Sequence, residues 1–422
     1  MLLRFEVVNH RSILRPAELS MIAVDADRSA ARAFDLLNER VLTVAGVYGP
    51  NASGKSNVIE ALAWLSLAVA GSLRAWGSVV PRYPFRFGRG PQSPSTYEVE
   101  MIADGVRYAY RLEVDDAQVL YEVLSSYPER RRRVLFEREG LELDFRRGLG
   151  SQLAGSRQLL TPTTLALSAI LRLNHPEVEP FGRQLANIGV LGARRSDVWQ
   201  AVGGHVVPPW YLYRTERIFD DRVSPAHDFI FDEDEFAPRS ERESALAMLR
   251  FADLGIAGVH VMEEDGDIRL IHRVGTEGFA FEFDDESAGT RTWFVLIGPV
   301  LAALRRGEIL LFDEIDASLH PKLSARLLEL FQDPLTNPRG AQLIFTTHDT
   351  SLLNYLNRDE VWLTQKEQDG ATTLTALAEY GGDKVRRSLN LEKAYLQGRF
   401  GAVPELDQFA LRSALGLIPG EE

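Results

Sequence analysis

"GPNASGKS", residues 49–56, follows a near-continuous apolar run at 41–48 and precedes helical spacing over 56–73. The apolar run reads as a buried parallel strand. Strand, glycine-rich loop and helix, in that order, form the context a phosphate-binding loop requires. Gly49 and Gly54 let backbone N–H groups close around phosphate, and the N-terminus of the following helix favours an anion. Lys55 is expected to reach the β- and γ-phosphates, and the Ser56 hydroxyl to ligate Mg²⁺. The nucleotide-binding set is then Gly49, Pro50, Asn51, Ala52, Ser53, Gly54, Lys55, Ser56 and Asn57.

Far along the chain, Ile309-Leu310-Leu311-Phe312 ends in two carboxylates, Asp313 and Glu314. A buried strand would present both acids at its C-terminal end, where α/β sheets bind ligands. Asp313 is expected to hold Mg²⁺ through water, and Glu314 to polarise an attacking water. Small G-proteins position that water with a glutamine elsewhere, so the paired acids favour an ATPase. "ESAGT", residues 286–290, lies between a strand at 279–283 and a helix at 290–304. Ser287 and Gly289 would sit at a helix N-terminus, a second anion site. In isolation the pattern is that of an ordinary N-cap. "FTTHD", 345–349, ends another apolar strand. His348 there can contact a γ-phosphate, although a lone histidine more often reads as a satisfied structural residue.

The 422 residues are 45% hydrophobic, enough for a large core in two or three lobes. Cysteine is absent, which excludes disulfides and thiolate metal sites. A formal charge of −13 argues against general nucleic-acid binding. The run Arg130-Arg131-Arg132-Arg133 reads either as a solvated face or as a phosphate contact. The most apolar stretch, 61–71, falls short of the ~20 residues of a bilayer span. A cytoplasmic chain without membrane contact is expected.

Residues 1–150 read as an N-terminal lobe with the phosphate loop and a β-meander at 97–102, 106–114 and 118–124. Residues 151–250 read as a mainly helical insertion, with helices at 159–173 and 243–251 and an acidic stretch at 231–236. Residues 251–422 return to α/β alternation: a strand at 309–312, a helix at 322–331, a strand at 342–346, and a hairpin of 359–364 with 372–376. Glu263-Glu264-Asp265-Gly266-Asp267 reads as a hairpin turn rather than a metal site. The predicted fold class is α/β, a P-loop NTPase core with an appended antiparallel sheet.

The order of phosphate loop, ESAGT, "DEIDASLHP" (313–321) and TTHD resembles the SMC/RecF/OLD branch of ABC-type ATPases. "VVNHRSI" (7–13) and "EKAYLQGRFGAVP" (392–404) are similar to bacterial phage-defence ATPases of the RloA/AbiL kind, the PARIS-type ATPase subunit among them. The resemblance implies an ABC ATPase head that uses ATP and Mg²⁺. It implies that Ser287, Ala288, Gly289 and Thr290 are a signature motif acting on a second copy's nucleotide. It makes Asp316 the D-loop aspartate, His348 the switch histidine, and Lys55, Glu314 and His348 the catalytic set. It also implies a homodimer or higher homo-oligomer that sandwiches ATP and controls a separate effector, such as a TOPRIM-type nuclease or toxin. DNA or a phage protein is a further partner class. The competing expectation is a RecF/SMC-like repair ATPase acting directly on DNA; the lack of sustained heptads and of a basic face speaks against it. No Q-loop glutamine is assigned: Gln92 and Gln118 follow the loop without the family's context.

Overall fold

The computed structural model describes residues 1–34, 38–146, 148–192, 213–220, 238–262, 267–317, 319–380 and 390–400. The acidic stretch at 231–236, the turn at 263–266 and everything beyond Phe400 lie outside the described residues. Along the chain the strands are β1 (Leu2–Val8), β2 (Ala17–Ser20), β3 (Ala31–Ala33), β4 (Arg40–Leu42), β5 (Val44–Tyr48), β6 (Ser95–Ala103), β7 (Val106–Val114), β8 (Val119–Ser126), β9 (Arg133–Glu139), β10 (Glu142–Phe145), β11 (Gly189–Gly192), β12 (Ile256–Val261), β13 (Ile268–Val274), β14 (Glu277–Glu282), β15 (Ile309–Asp313), β16 (Gln342–Thr346), β17 (Val361–Lys366) and β18 (Thr372–Ala376).

The core sheet runs β11-β15-β16-β5-β17-β18. Its first five strands are parallel, and β18 closes the edge antiparallel. Every residue of β5, β15 and β16 is buried, as a parallel strand covered on both faces requires. Strand alternation divides their side chains between two cores. Ala45, Val47, Ile309, Leu311 and Ile344 face one core. Val44, Tyr48, Leu310, Phe312, Leu343 and Phe345 face the other. Each fully buried aliphatic or aromatic side chain contributes roughly 1.5–3 kcal/mol.

The second sheet is wholly antiparallel, in order β10-β9-β8-β7-β6-β1-β2. The N-terminal strand thus belongs to the meander, at its β6 edge. Helix α1 (Lys55–Ala75) lies between the two sheets, and its buried residues join β1 and the core strands in one cluster. By length and composition α1 could cross a membrane, yet 78% of its apolar window is buried inside the protein. Gln342 ties the sheets together. Its Oε1 accepts from Leu2 N–H at 2.5 Å, and its Nε2 donates to the carbonyls of Leu2 and Leu42, both at 2.9 Å.

Three segments differ from the sequence expectation. The run 41–48 is split at Thr43: β4 pairs with β3 in a separate ribbon, and only β5 enters the core sheet. The helix expected at 159–173 is a 3₁₀ turn (Ala154–Leu159), an extended stretch through Leu165 and a short helix, Ala166–Ile170. Pro162 and three threonines disfavour helix there, and Arg138 takes the freed carbonyls, with Nη2 donating to Thr161 O at 2.9 Å and Nη1 to Thr164 O. Finally, Gly189–Gly192 is not helical but adds strand β11 beside β15.

Candidate functional site

The C-terminal ends of β5, β15 and β16 converge, with β16 lying between the other two. Each contributes a different group to the site.

From β5 the chain enters the loop at Gly49 (φ 152°) and leaves it at Gly54 (φ 101°). A Cβ on Gly54 would lie 2.2 Å from Thr372 Oγ1, so only glycine fits there. Gly54 is also the N-cap of α1 and supplies no side-chain cap. No side chain therefore competes with an anion for the leading N–H groups of this 21-residue helix, although Asn57 N–H donates to Gly54 O at 3.0 Å. Lys55 folds back over the loop, with Nζ donating to Gly49 O at 2.9 Å and Pro50 O at 3.1 Å. Burial lowers the Lys55 pKa, while the charges of Asp316, Glu314 and Asp313 act in the opposite direction. All three acids thus act on the lysine electrostatically. Ser56 and Asn57 are half-buried on the first turn of α1, and Asn51 and Ala52 are exposed at the loop tip.

A hydroxyl framework that sequence reasoning missed supports this loop from behind. Thr364 of β17 donates to Tyr48 O at 3.1 Å and bonds Ser53 Oγ at 2.6 Å. Thr372 of β18 donates to Ser53 O at 2.8 Å and bonds Ser12 Oγ at 2.6 Å. Asn57 Nδ2 donates to that same Ser12 hydroxyl at 2.6 Å. The only signal in the sequence was Ser12 within the N-terminal NHRS stretch.

Asp313 ends β15 and is 4% exposed. Thr346, at the end of β16, donates its hydroxyl to Asp313 Oδ1 at 2.6 Å and accepts from Glu314 N–H at 2.8 Å. Glu314 itself sits in the left-handed region at φ 55°, where the chain turns away from the strand. Asp316 organises the switch segment. It accepts from Thr347 Oγ1 at 2.7 Å and from His348 N–H at 3.2 Å. The His348 side chain is exposed.

Among the described residues no group of three metal-ligating side chains occurs. Ser56 and one free Asp313 oxygen fit a Mg²⁺ ion whose remaining ligands are phosphate oxygens and water, the usual arrangement for this metal.

The signature stretch is built elsewhere. Ser287 caps the helix Ala288–Arg306, with Oγ accepting from Thr290 N–H at 3.1 Å. Ser287 and Ala288 are exposed, Gly289 is half-buried and Thr290 is buried. Glu286 is anchored to His272 of β13 at 2.7 Å. The helix carries Pro299, and at the preceding residue the Thr215 hydroxyl is inserted into the ladder: it accepts from Gly298 N–H at 2.8 Å and donates to Phe294 O at 2.5 Å. The hydrogen bonds of Ser287 and Thr290 stay within the signature stretch and do not reach residues 49–57. Loop, acids and switch segment are thus brought together, and the signature motif stands apart from them. Gln92 and Gln118 are both exposed, Gln118 in the β7–β8 turn.

Parallel β5, β16 and β15, a glycine-rich loop leading into α1 and paired acids one strand away define a P-loop nucleotide-binding fold of the ABC type. The family model described as "AAA domain, putative AbiEii toxin, Type IV TA system" matches residues 44–354, more than half of the chain, and the chain belongs to that family. A "Putative ABC transporter ATP-binding protein" of Methanosarcina acetivorans is 27% identical over 41% of this chain and 53% of its own length. "Phosphonates import ATP-binding protein PhnC 2" of Synechococcus sp. is 36% identical over 21% of this chain and 32% of its own. The chain therefore spans about half or less of the curated relatives it matches. Among solved structures, the SMC head domain from Thermotoga maritima covers 89% of this chain and 98% of that one, at 14% identity and a TM-score of 0.40. An SmcHead bound to the C-winged helix domain of ScpA covers 89% and 97%, at 12% identity and 0.44.

Proposed function

We propose that this protein binds and hydrolyses ATP as a homodimer, and that its nucleotide cycle regulates a separate effector in an anti-phage defence system. The observation that carries the first part is Lys55 folded over the loop at an N-terminus of α1 that no side chain caps, on the same end of the parallel sheet as Asp313 and Glu314. Loop N–H groups and Lys55 bind the phosphates and offset their charge. Ser56 and Asp313 would hold Mg²⁺, which would neutralise charge on the phosphate oxygens. Glu314 accepts a proton from the attacking water, and His348 and Asp316 set the geometry on the γ-phosphate side.

Ser287 and Ala288, exposed at the start of their helix, support a second copy as partner. Ser287, Ala288, Gly289 and Thr290 offer a helix N-terminus but make no hydrogen bond to their own loop. Two chains packed head to tail would complete two sites, and loss of γ-phosphate would release the clamp. The defence role rests on the family description and on the sequence resemblance. A TOPRIM-type nuclease or toxin is the effector class, and the bacterial cytoplasm the compartment.

Glu314→Gln tests the core of this reading. The variant should bind Mg·ATP, hydrolyse it at least about 10²-fold more slowly and elute as a dimer in ATP. A variant that remains monomeric in saturating ATP sinks the sandwich. Hydrolysis strongly stimulated by duplex DNA alone would favour the repair-ATPase reading instead.

A further inference from the structure

Tyr48 is the last residue before Gly49, and Asp349 is the first after His348. Both are packed beneath the site, and both carry a buried polar atom without a hydrogen-bond partner: the Tyr48 hydroxyl and Asp349 Oδ2. The other Asp349 oxygen is in use, accepting from Ser351 N–H at 2.9 Å to cap the 3₁₀ turn Thr350–Tyr355. The two segments lie side by side: Thr347 N–H donates to Val47 O at 3.3 Å, one residue before Tyr48 and two before Asp349. After burial itself, the Asp349 charge is the next cause holding the Tyr48 hydroxyl pKa well above its ordinary value, followed by Asp316 and Tyr395.

The helix Leu391–Leu396 packs against the 3₁₀ turn and Tyr48. Tyr395 meets the Tyr48 ring edge-on, with centroids 6.1 Å apart. Glu392 fastens that helix to the same 3₁₀ turn by accepting from Asn354 Nδ2 at 2.7 Å. Buried polar groups are nearly always paired in folded proteins, so two exceptions on adjoining segments call for a role. A small approach of the switch segment toward β5 would satisfy both at once.

We infer that Tyr48 and Asp349 are a positioning pair: the hydroxyl donates to the carboxylate once the phosphate loop is loaded, and this contact fixes His348 for hydrolysis. This rests on the ATPase reading above. Tyr48 is tied to the loop, because the Thr364 hydroxyl that donates to its carbonyl also bonds Ser53 Oγ at 2.6 Å. Asp349 moves with His348, because both backbone N–H groups belong to the hydroxyl and carboxylate network of Thr347 and Asp316. The bond between the pair is therefore a direct link from loop to switch, shielded from water by Tyr395.

The test uses the full chain, Mg·ATP turnover and thermal unfolding without nucleotide. Tyr48→Phe removes the hydroxyl. Asp349→Ser keeps an oxygen for the Ser351 cap and removes the unpaired one. Each should lower kcat about tenfold with KM changed less than about twofold. The double variant should be no slower than the slower single. Tyr48→Phe should unfold at or above the wild-type temperature, because its hydroxyl makes no bond in the resting state. Wild-type kcat in Tyr48→Phe, or a double variant whose loss is the product of the two single losses, overturns the inference. If Asp349→Ser does not fold, the kcat of Tyr48→Phe decides alone. A wild-type chain that turns over no ATP would instead overturn the proposed function, so the two failures are distinct.

Discussion

Thr346 donates its hydroxyl to Asp313 at 2.6 Å, and this one bond joins the strand that bears the acids to the strand that bears the switch. Thr346→Val keeps the shape and removes the bond, leaving a buried carboxylate and the Glu314 N–H unsatisfied. We expect a loss of about 2–4 kcal/mol in denaturant unfolding. The Mg²⁺ concentration for half-maximal ATP turnover should also rise. Unchanged unfolding would mean that Asp313 finds another donor.

Gly54 is a tightly constrained position of the loop. Alanine there would place a Cβ 2.2 Å from Thr372 Oγ1 and 2.7 Å from Ser12 Oγ, at φ 101°. Gly54→Ala should weaken binding of a fluorescent ATP analogue by at least about tenfold, with a strain cost of about 1–3 kcal/mol. Gly155→Ala, where a Cβ meets nothing within 4 Å, is the control and should bind like wild type.

Gln342 should matter for stability more than for chemistry. In Gln342→Leu, the buried Leu2 N–H and the carbonyls of Leu2 and Leu42 lose their side-chain partner. The expected cost is about 3 kcal/mol, read from the denaturation midpoint with its slope unchanged. A drop in nucleotide affinity without a shift in midpoint would contradict this assignment.

Glu308 gives stability a pH dependence. Burial raises its pKa to about 7 from 4.5, against the opposing effects of Arg306 and Asn187. The folded state then binds more protons than the unfolded one between these values, so stability falls as pH rises through that window. Glu308→Gln should stabilise the protein at pH 8 by about 1–2 kcal/mol, allowing for its partial exposure. The gain should largely disappear in unfolding measured at pH 5. Equal gains at both pH values would exclude Glu308 as the source.

Motif chemistry was legible in the sequence because it is local. Residues 342–346 read as a strand and fold as one, and 309–314 could be read as an apolar strand ending in acids because the run is short and sharply bounded. The hydroxyl framework was not legible. Ser12, Thr364 and Thr372 meet only after the chain ends have come together, and no spacing announces that. Strand β11 is four residues, two of them glycine, and gains its strand character from pairing with β15. The helix read at 159–173 forms only over its second half, at Ala166–Ile170 and the 3₁₀ turn Leu171–Leu173, because Pro162 and its threonine neighbours outweigh apolar spacing before it. Tyr48 and Asp349 looked like the ordinary end of a strand and the residue after a histidine. Only their shared burial marks them out.

Strand β5 is flanked in the core sheet by β16 and β17, which begin at Gln342 and Val361. On the ribosome, the phosphate loop strand therefore emerges long before either neighbour exists. At about 5–20 residues per second, the delay is on the order of 15–60 s. During that time β5 has neither neighbour, and α1 can rest on the antiparallel meander and on the early helices Ala166–Ile170 and Glu179–Ala186. The meander and these helices thus act as a nursery for the phosphate loop. Nascent chains stalled before Gln342 should be holdase clients and protease substrates, and an N-terminal half expressed alone should aggregate rather than wait for its complement.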